Sequence, residues 1–153
     1  MNYYYDTSAL CQNYHTEAGS SKVAALFSEP SARHVISISR LTHLEIHSAF
    51  ALKVRTGEIV RPDFELFRKH FRADVSQRRL LVVRLLRRHF DAAEALIVKH
   101  GTTARLRSLD AIHLAVAMDL HQMKIVDDFV CADSILVQLA RSEQLTVINP
   151  LEP

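Results

Sequence analysis

Cysteine is scarce in this chain of 153 residues: Cys11 and Cys131 are the only two. They show no metal-site spacing and are too few for a disulfide framework, so the sequence fits a reducing compartment. Glycine and proline are nearly as rare, at three and four residues, which argues against linkers, low-complexity tracts and long loops. No apolar run approaches the roughly 20 residues needed to cross a bilayer. The opening Met-Asn-Tyr-Tyr-Tyr-Asp has neither a basic region nor an apolar stretch behind it, so no secretory signal is read there and a cytoplasmic location is expected. Strong charge of one sign is absent too. A net charge of +2 permits a polyanionic partner without demanding one.

What remains is ordinary globular material, 48% hydrophobic and 24% charged, long enough for one domain spanning residues 1–153. Tyr3-Tyr4-Tyr5 favours a strand, and Asp6-Thr7-Ser8 then reads as strand end and helix cap. A helix over 20–28 follows, ended by Pro30-Ser31, and the β-branched alternation of 34–39 predicts a second strand. Helices are expected over 41–55, closed by Gly57, and from Arg61-Pro62-Asp63 through Phe64, Phe67, Phe71 and Val75, whose spacing marks a core stripe. Leu80–Val83 reads as a short buried strand, and 90–100 as a helix stopped by Gly101. Residues 129–133 and 145–148 are two further strands, with a helix over 134–141 between them. Strands alternating with helices predict a three-layer α/β/α sandwich with a mostly parallel central sheet.

The segment from Leu106 to Met118 is a polar lead-in followed by an apolar helix. At about 100° per residue its side chains point in nearly every direction, so other elements must wrap it. Ser108 is the expected N-cap and Asp110 lies in the first turn. An acid there has a structural explanation, since it gains a few tenths to about 1 kcal/mol from the helix dipole. It also has a functional one, as a ligand at the mouth of a buried helix. In the helix over 41–55, Leu41, Leu44, Ser48, Ala49 and Leu52 form the expected buried stripe, and Glu45 sits inside it. A carboxylate there is costly unless paired or bound to metal. His43 and His47 have zinc-ligand spacing but lie roughly 160–200° around the helix from Glu45, and a solvated face suits them better. Arg78, Arg79, Arg84, Arg87 and Arg88 flank the strand at 80–83, either as solvated ends or as contacts to a nucleic-acid backbone. Asp127 and Asp128 fall before a strand, at the far end of the sheet from Asp133.

In a parallel sheet, Asp6 and Asp133 both follow the carboxyl ends of strands, Asp110 opens a helix, and Glu45 lies one turn into another. All four therefore converge on one sheet edge, where ligands bind in such folds. Oxygen-rich acidic clusters suit Mg²⁺ or Mn²⁺, one or two of which can activate water and stabilise the leaving oxygen in phosphodiester hydrolysis. An aspartate-nucleophile phosphatase is a weaker reading, because Ser8 occupies the place where that chemistry wants a second acid.

With Tyr5-Asp6-Thr7-Ser8-Ala9-Leu10, Glu45, the stretch from Leu106 to Ala117, Phe129-Val-Cys-Ala-Asp133 and Val147-Ile-Asn-Pro150 in this order, the chain resembles the PIN-domain family, and in particular its VapC-type toxin ribonucleases. The resemblance implies an α/β/α sandwich that cuts single-stranded RNA with Mg²⁺ or Mn²⁺. It maps the acidic quartet, catalytic and metal-binding, onto Asp6, Glu45, Asp110 and Asp133, with Ser8 as a polar helper. Arg105 and Arg107 are then expected on flanking phosphates. It also implies a small antitoxin partner and a homodimer, with no membrane association. Cys131 departs from the threonine or serine common at that place in relatives, and a thiol is the poorer donor. A binding module that docks RNA or a protein without cutting is the alternative.

Overall fold

A computed structural model describes residues 1–28 and 34–153; Pro30-Ser31, read above as a helix end, lies outside the described residues. Three tyrosines make the central strand. β1 (Tyr3–Tyr5) is buried on both faces, and strand alternation divides its side chains between two cores. Tyr4 enters the layer formed by α5 (Arg87–His100), α6 (Ser108–Gln122) and α7 (Ser134–Ser142). Tyr3 and Tyr5 enter the other, against α1 (Thr7–Cys11), α2 (Ser20–Phe27), α3 (Arg40–Arg55) and α4 (Arg61–Ser76). The sheet is completed by β2 (Ile36–Ser39), β3 (Leu80–Val83), β4 (Asp128–Val130) and β5 (Val147–Ile148), in the order β3-β2-β1-β4-β5, parallel throughout. The expected sandwich is therefore the observed one.

Chain order runs outward from β1 to β3 on one side, then restarts at β4 on the other side of β1. Such a switch point leaves a crevice at the carboxyl ends of the two central strands. The register pairs Tyr5 with both Ile38 and Val130, and Ser39 with Val83, so these ends lie level. Asp127 and Asp128 sit at the opposite edge, as expected, although Asp128 opens β4 rather than preceding it.

Four local readings are corrected. On α3 the buried side chains are Thr42, Ile46 and Phe50, while Leu44 and Leu52 are 71% and 51% exposed. The leucine stripe thus faces outward, because packing against Phe71 and Ile38 selects the neighbouring face. His43 and His47 belong to that inner side and meet Phe71 edge-on at 5.2 and 5.8 Å, so they are half-buried rather than solvated. On α6 the N-cap is Arg107 rather than Ser108, and the helix is wrapped as expected except at Leu109, which is 45% exposed. β4 ends at Val130, short of Asp133, because the Ala132 N–H turns aside to the Ser8 hydroxyl at 3.0 Å and Asp133 caps α7. The phenylalanine stripe of α4 does face the core.

The assignment of the inner face of α3 has a direct test. Ile46→Ala is expected to cost about 2–5 kcal/mol by opening a core cavity, whereas Leu44→Ala stays within about 0.5 kcal/mol. Urea denaturation of the two variants reads the difference.

Candidate active site

The four acids predicted from sequence reach the carboxyl edge of the sheet, and each is held by its own set of donors. Asp6 follows β1 and caps α1. Its Oδ1 accepts the Ala9 N–H at 2.9 Å, and Ser8 Oγ donates to the same carboxylate at 2.7–2.8 Å. Cys131 Sγ reaches Asp6 Oδ2 at 3.3 Å, so the residue singled out as a departure does touch the site, as a weak thiol donor. Asp6 is 4% exposed. Burial pushes its carboxyl above the usual carboxylate range, while His113 and these donors pull against the rise. Burial also pushes the Cys131 thiol far up, which keeps it protonated and inert.

Asp133 caps α7, with Oδ1 accepting the N–H groups of Ile135 and Leu136, each at 2.9 Å. Its other oxygen lies 3.8 Å from the Arg107 guanidinium. That guanidinium donates to both oxygens of Asp110, at 2.7 and 3.2 Å. The hydrogen bonds to Asp110, with its charge and those of Asp133 and Glu45 nearby, raise Arg107 further above its ordinary value. Arg107 therefore ties together two of the four acids, and Arg105 stands exposed without an ion-pair partner among the described residues.

Glu45 stands one turn into α3, half-buried at the crevice rather than inside a leucine stripe. Thr7 Oγ1 and His113 Nε2 both meet its Oε2 at 2.6 Å, leaving Oε1 without a hydrogen bond among the described residues. Burial would lift this carboxyl, but the His113 and Thr7 contacts outweigh it and hold Glu45 below its ordinary value. His113 itself is 2% exposed, and its Nδ1 lies 2.9 Å from the Tyr4 hydroxyl. A carboxylate can only accept, so in the neutral ring the proton belongs on Nε2 and the tyrosine donates to Nδ1. Sequence reasoning passed over His113, Tyr4 and Thr7. The one available signal was a lone histidine within an apolar helix; its partner Tyr4 lies 109 residues away on β1.

The donor set is carboxylate oxygen throughout, which suits a hard divalent cation such as Mg²⁺ or Mn²⁺ better than zinc. Among the described residues no three of the four acids bring ligand atoms mutually within 4.8 Å; His15, Glu17 and Glu58, none of them in the quartet, do. There the Lys53 ammonium already sits between the two carboxylates, at 3.2 and 2.5 Å, and meets their charge.

A family model described as PIN domain matches residues 3–129, a span that includes Asp6, Glu45 and Asp110 and stops short of Asp133. No curated protein matches the chain significantly. Among solved structures, the chain is similar to Mycobacterium tuberculosis VapC20, described as a sarcin-ricin loop cleaving toxin. The TM-score is 0.63 at 15% identity, over 89% of this chain and 93% of that one. It is also similar to Rickettsia felis VapBC2, solved with a DNA fragment from its promoter, with a TM-score of 0.60 at 14% identity over 97% and 98% of the two chains. These likenesses show a shared fold.

Long-range ¹H–¹⁵N spectra of the histidine rings are expected to place the His113 proton on Nε2, and Tyr4→Phe is expected to shift the Nδ1 resonance of that ring alone. A proton resting on Nδ1 would contradict donation from Tyr4 to His113 and from His113 to Glu45.

Proposed function

The chain belongs to the PIN-domain family, and from that premise we propose that it is a metal-dependent endoribonuclease, the toxin of a VapC-type toxin–antitoxin pair. The observation that carries this reading is the presence of Asp6, Glu45, Asp110 and Asp133 together at the switch-point edge of a parallel sheet, each with separate support. The likeness to VapC20 and VapBC2 supports it, as do the oxygen donors. In this reading residues 1–153 act as one domain.

Asp6, Glu45, Asp110 and Asp133 would hold Mg²⁺ or Mn²⁺, which when bound offsets their mutual repulsion and supplies positive charge for the phosphate oxygens of the scissile bond. The chain's own part is to aim these oxygens. Ser8 turns its hydroxyl onto Asp6 and takes the Ala132 N–H, pinning the start of α1 to the segment after β4. Thr7 and His113 fix one oxygen of Glu45 and leave the other for a ligand. Asp133 uses Oδ1 as a helix cap and keeps Oδ2 for the crevice. Arg107 orients Asp110, which makes Arg105 the freer of the two arginines to meet a flanking phosphate.

Hydrolysis proceeds without a covalent protein intermediate. Ser8 donates its proton to the Asp6 carboxylate proposed to hold the metal and has no histidine or lysine hydrogen-bonded to it among the described residues, and both cysteines are buried thiols. The substrate is RNA. A small antitoxin is the proposed partner and a homodimer the proposed assembly, in a cytoplasmic setting. Among the described residues no helix is long and apolar enough to cross a membrane.

Purified total RNA, incubated with Mg²⁺ or Mn²⁺, should yield discrete fragments with the native chain. Asp110→Asn should abolish them while its circular dichroism spectrum remains that of the folded chain, and a chelator should do the same to the native protein. Unchanged turnover in the variant would remove Asp110 from the site. RNA binding without cutting at any metal concentration would identify a docking module instead.

A further inference from the structure

The basic cluster around β3 divides once the fold is known. Arg78 and Arg79 precede the strand and lie at the edge away from the acids, where Arg79 pairs with Asp74 at 3.1 Å. Arg87 and Arg88 belong to α5 and pair with Asp91 and Asp119. Arg84 directly follows the carboxyl end of β3, on the same edge as the carboxylates, and unlike Arg87 and Arg88 it has no ion pair among the described residues. Beside it stands Arg40, the first residue of α3, directly after β2. Both are exposed, and neither has an ion-pair partner among the described residues. Together with Val82 and Leu85 they line an open cleft of about 560 Å³.

We propose that this cleft is a subsite for the phosphodiester backbone of single-stranded RNA, leading away from the cutting centre; the inference rests on the ribonuclease reading above. The register supplies the geometry. Asp6 lies level with Ser39, and Ser39 pairs with Val83, so Arg40 and Arg84 follow one and two strands from Asp6, about 5 and 10 Å along the edge. The edge thus carries Asp6 and Asp133 after β1 and β4, with Glu45 of α3 turned toward Thr7 and His113, and free guanidinium groups after β2 and β3. An RNA strand whose scissile phosphate lies at the carboxylates is repelled along the acidic half by its other phosphates. It is drawn along the basic half, where unpaired guanidinium groups are at hand. Arginine also forms paired hydrogen bonds to a phosphate. Val82 and Leu85 give the cleft an apolar wall for the face of a sugar or base. The contacts are to backbone, so they set affinity and the direction of the strand, and carry no base preference.

The test separates this subsite from the chemistry. The Asp110→Asn chain, with chelator present, is titrated against a short fluorescently labelled single-stranded RNA of mixed sequence, followed by anisotropy over a series of salt concentrations. Adding Arg40→Gln and Arg84→Gln together should weaken binding about tenfold and lower the slope of log affinity against log salt by about 1.4, for two lost contacts on a single strand. The control is Arg55→Gln, an exposed arginine about 22 Å away at the far end of α3, which should change neither. In the active chain the same pair should raise KM and leave kcat in place. Affinity and slope equal to those of the Arg55 control would overturn the subsite, whether or not the native chain cuts RNA. Failure of the native chain to cut, with the two arginines still governing binding, would overturn the ribonuclease reading alone.

Discussion

Carboxylates crowded at one end of a parallel sheet repel one another, by about 4 kcal/mol for a pair 4 Å apart at an effective dielectric of 20. The site exists only because that repulsion is met residue by residue. Asp6 is held by a helix start, a serine and a thiol; Asp133 by the first amides of α7; Glu45 by a threonine and a histidine; Asp110 by an arginine three residues before it. Among the described residues no two of these acids share a hydrogen-bond donor, so each can be oriented without dislodging the others. Arg107 comes nearest to a common partner, and it binds Asp110 far more closely than Asp133.

The fold was largely legible in the sequence because its elements follow one another in the simplest way. Each strand is a short apolar run, and the alternation with helices leaves a parallel sheet as the economical solution. Asp6 and Asp110 were legible for the same reason, since both stand where an element begins or ends. Glu45 was identified on faulty grounds. Leu41, Leu44, Ser48 and Leu52 do form a stripe, but hydrophobic spacing cannot say which of two adjacent faces the rest of the protein will cover. Phe71 and Ile38 chose the side carrying Ile46 and Phe50.

His113 was illegible for a different reason. Its role depends on Tyr4 and Glu45, which are 109 and 68 residues away, and no local pattern announces a polar side chain whose partners arrive through the fold. The arginines around β3 show the same limitation. In sequence they make one basic patch, yet the sheet sends Arg78 and Arg79 to one edge and Arg84 to the other, and Asp74, Asp91 and Asp119 pair with three of the five.

The line from Tyr4 through His113 to Glu45 has a further consequence. Tyr4 belongs to the sheet, His113 to a helix on one side of it and Glu45 to a helix on the other. Three structural layers thus meet in two consecutive hydrogen bonds. If the layer carrying His113 opens, Glu45 keeps only its bond from Thr7, so a local opening on one flank reaches the carboxylate edge without global unfolding. Each outer layer therefore takes part in orienting Glu45, and an opening of either flank is felt at the carboxylate edge.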